Sequence, residues 1–212
     1  MLPGVTTIVV AGGGGDRFGG PKQFATLRGA TVLDRAVATA LRCSEHVVVV
    51  VPAGSGWRPP EGVTAVGGGA TRSASTRAGL AAVEKDAEIV VVHDAARPLA
   101  SVELYTRVVE AVRAGADAAV PALAVTDTLK RVDGDVVVGT VPRADVVTVQ
   151  TPQAFTVAAL RRAHASEPDE TDDAAVIEAD GGRVVIVPGD LRNLKITVAA
   201  DLEIAAALLE AP

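Results

Sequence analysis

Apolar, β-branched runs alternate along this chain with stretches of helical apolar spacing. Val5–Val10, Val47–Val51 and Ile89–Val92 have the composition of parallel strands covered on both faces. Ala118–Val120 and Val184–Val187 are shorter candidates. Thr31–Leu41, Ser73–Val83, Val102–Val112 and Ala199–Leu209 repeat apolar residues at helical spacing, which predicts helices between the strands. Thr31 to Asp34 and Ser101 to Leu104 read as helix starts, with Ser101 an N-cap. Asp172 and Asp173 open a further helix running to Glu178, where carboxylates favour the helix dipole. This rhythm predicts an α/β fold with a mostly parallel sheet, as a single domain over residues 1–212. Ala53–Gly62 breaks the rhythm: Gly54, Gly56, Pro59 and Pro60 make it a loop where a helix would otherwise lie.

Thr126–Val149 also departs from the α/β pattern. Val125–Val132 alternates in part, Asp133-Gly134 is a hairpin turn signal, and Val136–Val138 follows. An isolated two-stranded arm is marginal in water. It should pack on something, either its own domain or a second subunit, and a homodimer is the expectation. The fold class expected overall is a Rossmann-like three-layer α/β/α arrangement with a protruding β-arm.

The chemistry concentrates in Val10-Ala11-Gly12-Gly13-Gly14-Gly15-Asp16-Arg17-Phe18-Gly19-Gly20-Pro21-Lys22-Gln23, directly after the first strand. Four consecutive glycines remove every Cβ, so backbone N–H groups can approach an anion closely. Arg17 and Lys22 add two positive charges, which a plain turn does not need. Neither GxxxxGK[ST] nor GxGxxG is present. His93-Asp94-Ala95-Ala96-Arg97-Pro98 follows another strand. Ligands of such sheets bind beyond the carboxyl ends of the strands, where both segments fall.

Composition narrows the partners. The net charge of -6 argues against a nucleic-acid surface, so a polyanion site must gather its cations locally. Arg17, Lys22, Arg72, Arg97, Arg143 and Lys195 are the candidates. Cys43 is the only cysteine, which excludes an intrachain disulfide or a cysteine-rich metal site. None of the three histidines shows metal-ligand spacing, and His93 reads as structural. No run reaches the roughly 18 apolar residues of a membrane span, and no signal peptide is evident. A cytoplasmic enzyme is expected.

The glycine loop resembles the signature loop of sugar-phosphate nucleotidyltransferases. Gly67-Gly68-Gly69-Ala70-Thr71-Arg72-Ser73, the His93–Pro98 segment, Thr151-Pro152-Gln153, Thr171-Asp172-Asp173-Ala174 and Asn193-Leu194-Lys195-Ile196-Thr197 extend the likeness. In order and spacing they resemble the 2-C-methyl-D-erythritol 4-phosphate cytidylyltransferase family, from about Thr7 to about Leu208. The short spacing between Arg17 and Pro21, and Gly12 itself, are also similar to ribitol-5-phosphate cytidylyltransferases. A nucleotide-binding module without catalysis is the reading from another class.

The resemblance implies attack of a sugar-alcohol phosphate on the α-phosphorus of CTP, with release of pyrophosphate and no covalent enzyme intermediate. It implies Mg²⁺ bridging the CTP phosphates with few protein ligands. Arg17, Lys22, Arg143 and Lys195 would be catalytic: the first two neutralise the triphosphate, the others hold the attacking phosphate. Ala11, Gly12, Gly13, Gly68, Arg72, Ser75 and Ala95 would bind nucleotide. Asp94, Arg97, Thr128, Thr151 and Thr171 would bind the acceptor. The arm would clasp a second subunit and help form its site. The residues alone leave alternatives: Asp94 as a turn cap, Arg97 as its salt-bridge partner, Ser75 as a helix cap, and Lys195 facing outward from a strand-like stretch.

Overall fold

The computed structural model describes residues 1–210 except Asp169 and Thr171, and leaves the Asp16 side chain undescribed. The elements run β1 (Leu2–Val10), β2 (Thr26–Leu27), β3 (Ala30–Thr31), α1 (Val32–Cys43), β4 (Ser44–Val51), β5 (Val63–Gly67), α2 (Arg72–Ala81) and β6 (Ile89–Asp94). They continue with α3 (Val102–Arg113), β7 (Ala118–Ala124), β8 (Leu129–Asp133), β9 (Val136–Val141), β10 (Val147–Val149) and β11 (Gln153–Thr156). The chain closes with α4 (Val157–Ala163), α5 (Asp173–Ala179), β12 (Val184–Pro188) and α6 (Ala200–Glu210). No helix among the described residues is long and apolar enough to cross a membrane.

One sheet organises the molecule. β1 pairs in parallel with β4 on one side and β6 on the other, and β5 extends the sheet beyond β4. Beyond β6, β11 runs antiparallel between β6 and β7, and β12 pairs in parallel with β7. The valine runs fill this sheet because both faces are covered. Ile8, Val48, Val50, Val90 and Val92 face Leu80, Leu160 and Ile177 of α2, α4 and α5. Their neighbours Val9, Val47 and Val49 face Leu33 and Val37 of α1, while Val91 packs with Tyr105 and Val108 of α3. Each such side chain, fully buried, contributes about 1.5–3 kcal/mol relative to exposure. That period-two division produces the three-layer α/β/α architecture.

The expected helix starts are caps. Thr31 Oγ1 accepts from the Asp34 amide at 3.0 Å, and Ser101 Oγ from that of Leu104 at 3.2 Å. Asp172, not Asp173, caps α5, accepting from the Ala175 amide at 2.9 Å. The loop expected over residues 53–62 joins β4 directly to β5 without a helix. Trp57 anchors it, donating from Nε1 to Asp34 Oδ1 at 3.1 Å.

Two sequence readings need correcting. The arm is shorter than residues 126–149: β8 and β9 form a sheet of their own, but Val147–Val149 pairs antiparallel with Ala122–Ala124 of the main sheet. The backbone groups of that segment find ladder partners on β7, so it does not protrude. The stretch through Lys195 is not a strand. Ile196 N donates to Ala96 O at 2.8 Å, and the Asn193 amide group donates to Thr151 O at 2.8 Å, so a local tether replaces a ladder.

Register decides where chemistry can occur. Val10 sits opposite both Val50 and Asp94, and Val51 sits opposite Gly67. The glycine loop, Asp94 and the segment leading into α2 therefore share one rim, at the carboxyl ends of the parallel strands.

Candidate active site

The rim holds a pocket of about 290 Å³, lined by Val10–Gly14, Lys22, Gln23, Gly69–Arg72, Ser75, Asp94–Ala96 and Lys195. Its floor depends on absent side chains. A Cβ on Gly12 would lie 3.1 Å from Ser75 Oγ, and one on Gly69 would lie 2.5 Å from Ala74 Cβ. Gly15 has φ +76, and a Cβ there would meet Gly20 O at 1.9 Å. The Gly15 carbonyl accepts from the amides of Phe18 and Gly19 at 2.8 and 3.1 Å, closing the loop on itself. Gln23 then ties the loop down: buried, it donates from Nε2 to the carbonyls of Ala11 at 2.9 Å and Gly13 at 3.1 Å. The sequence assigns Gln23 no role, since nothing in its spacing distinguishes a structural amide from a solvated one.

The charges interlock. Arg72, the first residue of α2, donates from Nε and Nη2 to Asp94 Oδ1 at 3.2 Å, and from Nη1 to Asp173 Oδ2 at 2.7 Å. Lys195 Nζ donates to the other Asp94 oxygen at 2.7 Å. Burial pushes the Asp94 carboxyl up, but Arg72 and Lys195 together hold it well below the usual carboxylate range. Asp94 is therefore an anion whose oxygens are both engaged, which replaces the turn-cap reading. Lys22 is half-buried; burial and the nearby Lys195 and Arg17 lower its pKa, while Asp94 opposes them. Cations placed so close repel one another until an anion arrives.

The remaining candidates separate. Ala11, Gly12, Gly13, Arg72, Ser75, Ala95, Asp94, Lys22 and Lys195 line the pocket. Gly68 is packed beneath it, where a Cβ would lie 3.1 Å from Ser75 Oγ. Ser75 Oγ accepts from the Gly69 amide at 3.2 Å, so it fixes the glycine segment and does not cap α2, which Thr71 does. Arg17 is exposed on the turn Asp16–Phe18, outside the lining. Arg97 forms no salt bridge with Asp94; it donates to Asn193 O at 2.9 Å and, at 3.5 Å, to Val149 O. Thr151 is buried, its hydroxyl accepting from the Asp94 amide at 3.0 Å. Arg143 and Thr128 are exposed near the arm, away from the pocket, and Arg143 donates to Thr126 O. Thr171 lies outside the described residues.

His93 is structural, as expected. Fully buried, it meets Arg97 O through Nε2 at 3.1 Å and Thr151 Oγ1 through Nδ1 at 3.2 Å. Burial lowers its pKa from 6.5 to about 4, against the pull of Asp94. The unfolded chain takes up a proton on this ring as pH falls through about 6.5, whereas the native ring takes none until about 4. Stability is therefore expected to fall with pH across that window, by up to about 3 kcal/mol. Urea unfolding at pH 7 and pH 4.5 checks this: the His93→Gln variant should lose less stability over the interval than wild type does. Equal losses in the two proteins would assign the pH dependence to other groups.

A glycine cradle at the rim of a mostly parallel sheet, with cations converging on it, defines an α/β protein built to bind a polyphosphate. Comparison with known proteins makes this particular. The family model for 2-C-methyl-D-erythritol 4-phosphate cytidylyltransferase matches residues 5–211. The chain is 45% identical to the 2-C-methyl-D-erythritol 4-phosphate cytidylyltransferase of Rhodococcus jostii, covering 97% of this chain and 95% of that one. It is 44% identical to the bifunctional enzyme IspD/IspF of Clavibacter michiganensis, covering 94% of this chain and 53% of that one. The chain thus spans about half the length of that bifunctional relative. The crystal structure of the Thermus thermophilus 2-C-methyl-D-erythritol 4-phosphate cytidylyltransferase superposes with a TM-score of 0.83 at 38% identity, covering 96% of this chain and 98% of that one. The chain belongs to the 2-C-methyl-D-erythritol 4-phosphate cytidylyltransferase family.

Proposed function

We propose that this protein transfers the cytidylyl group of CTP to 2-C-methyl-D-erythritol 4-phosphate, giving 4-diphosphocytidyl-2-C-methyl-D-erythritol and pyrophosphate. The observation that carries the reading is the pocket itself: Lys22, Arg72 and Lys195 converge on a glycine cradle in a chain of this family. An acceptor phosphate oxygen bonds to the α-phosphorus of CTP as the bond to the β-phosphate bridging oxygen breaks. Two anions must meet, so positioning and charge neutralisation supply the catalysis. Lys22 and Arg17 neutralise the triphosphate and the transition state. Lys195 holds the attacking phosphate as a point charge, and the Arg143 of a second subunit, brought by its arm, holds it as a fork. Ala11, Gly12, Gly13, Gly68, Arg72, Ser75 and Ala95 form the nucleotide side; Asp94, Arg97, Thr128, Thr151 and Thr171 form the acceptor side.

Mg²⁺ fits this donor set as a substrate-borne ion. Asp94 is the pocket's carboxylate, and both its oxygens are engaged by cations. A hard divalent cation would take its ligands from phosphate oxygens and water, where it withdraws charge from the α-phosphate. The protein would act in the cytoplasm as a homodimer. Support for the dimer is the arm, whose Val132, Val136, Val137 and Val138 are each more than half exposed. Among the described residues β8 and β9 hydrogen-bond as strands only to each other, and a lone hairpin needs a surface to rest on.

Pyrophosphate release from CTP and Mg²⁺ tests the activity. 2-C-methyl-D-erythritol 4-phosphate is expected to give a higher kcat/KM than ribitol 5-phosphate. The opposite order would make ribitol 5-phosphate the acceptor, and CTP binding without turnover on either would make the chain a nucleotide-binding module.

A further inference from the structure

The pocket's charges are held from behind. Asp173 is completely buried at the start of α5, and its two oxygens serve two cationic or polar groups. Oδ2 takes Arg72 Nη1 at 2.7 Å, and Oδ1 meets His164 Nε2 at 3.3 Å. His164 is itself buried, on the turn His164–Ser166 that follows α4. Neither Asp173 nor His164 lines the pocket. Burying this carboxylate is costly unless it is paired and hydrogen-bonded, and here it is both.

The segment before Asp173 is fastened to α2 by more than this pair. Arg77 Nη1 donates to Pro168 O at 2.8 Å. Ser73 Oγ donates to Glu170 O at 3.1 Å and accepts from the Glu170 amide at 3.2 Å. The first turns of α2 thus grip the chain leading into α5, while the guanidinium at the head of α2 reaches both Asp173 and Asp94. Arg72 has a planar, fixed fork: with Nη1 taken by Asp173, the Nε–Nη2 edge is presented to Asp94. That edge occupies Oδ1 alone, and Oδ2 remains for Lys195. Without Asp173, the same fork is free to take both Asp94 oxygens and displace Lys195.

We propose that Asp173, supported by His164, is a positioning residue: it fixes the Arg72 fork so that Asp94 keeps one oxygen for Lys195 and holds that ammonium in the pocket. The kinetic consequence rests on the function proposed above, in which Lys195 binds the attacking phosphate; the structural consequence does not.

The test is the near-isosteric variant Asp173→Asn, read in two ways. A crystal structure of the variant should show the Lys195–Asp94 contact broken and Arg72 turned onto both Asp94 oxygens. A retained 2.7 Å contact would overturn the proposal whatever the enzyme does. In turnover, the variant should lose on the order of 10- to 100-fold in kcat/KM for the acceptor. The Asp173→Asn/Lys195→Ala double variant should be no worse than Lys195→Ala alone. Asp173 and Lys195 share no hydrogen bond, so a merely structural effect of Asp173 would instead add to that of Lys195. If Asp173→Asn does not fold, His164→Gln, which disturbs only the Oδ1 side, is put through the same readings; unaltered Lys195 placement and kinetics would then overturn the proposal. A wild-type protein that turns over no acceptor, beside a variant that has released Lys195, would defeat the proposed function and leave the positioning role standing.

Discussion

Lys22→Ala is expected to lower kcat by at least about 10²-fold while leaving the fold and its thermal midpoint essentially unchanged. The side chain projects from the turn Lys22–Phe24 into the pocket rim, half-buried, beside Lys195 and Arg17. Burial and those two cations disfavour its charge more than Asp94 and Asp201 favour it, so deleting it costs the fold no net favourable charge interaction. The loop does not depend on it. Gln23 holds the Ala11 and Gly13 carbonyls, and the Gly15 carbonyl holds the following turn. On the function proposed above, what disappears is charge opposite the pentacoordinate α-phosphorus, where negative charge builds up as attacking and leaving oxygens are both partly bonded. The loss should therefore fall on kcat more than on the KM for CTP, whose other contacts remain. Steady-state pyrophosphate release, with circular dichroism as the folding control, makes the measurement. A kcat near wild type would remove Lys22 from the mechanism.

The parts of this fold legible in the sequence are those governed by local burial. The valine run of β4 has its apolar residues buried on both faces, and a fully covered strand has no polar face to interrupt the run. Thr31 and Ser101 announce their helices because a cap needs only a hydroxyl three residues before an amide. β5 and β11 were not legible. β5 is an edge strand with exposed residues, and its Val63–Gly67 sequence runs into the glycines that follow. β11 has four residues, and its place between β6 and β7 depends on long-range pairing. The site divides in the same way. The glycine loop, Lys22 and Asp94 stand next to strand ends, so their position on the rim follows from the strands. Lys195 lies in an irregular stretch that looked like a strand, because Leu194-Lys195-Ile196 alternates as an edge would. Its pairing with Asp94 spans 101 residues, as does that of Arg72 with Asp173, and no local pattern encodes either. Arg97 stands three residues from Asp94, which leaves it open locally as a salt-bridge partner, yet the carboxylate is held from α2 and from the Asn193–Thr197 segment.

Mixing inactive Lys22→Ala with inactive Arg143→Ala is expected to restore about one quarter of wild-type activity after random subunit exchange between C₂ dimers. In its own chain, Arg143 is exposed at the foot of the hairpin, donates to the Thr126 carbonyl, and does not line the pocket. The hairpin beside it carries four exposed valines that a second subunit would cover. If the arm reaches over a neighbour, Arg143 completes the neighbour's acceptor site and each site draws on two chains. A mixed dimer then has one site with both defects and one with neither. Random exchange of equal amounts makes half the dimers mixed, and half the sites in those are intact, which gives the one-quarter figure. The pure variants must be shown to be inactive and dimeric by light scattering, and exchange must be demonstrated with tagged subunits. A monomeric protein, or no recovery despite demonstrated exchange, would show that Arg143 does not serve a partner's site. The sign of the effect is what gives the test its force: two dead proteins become an active one only if the two residues belong to one site and to different chains.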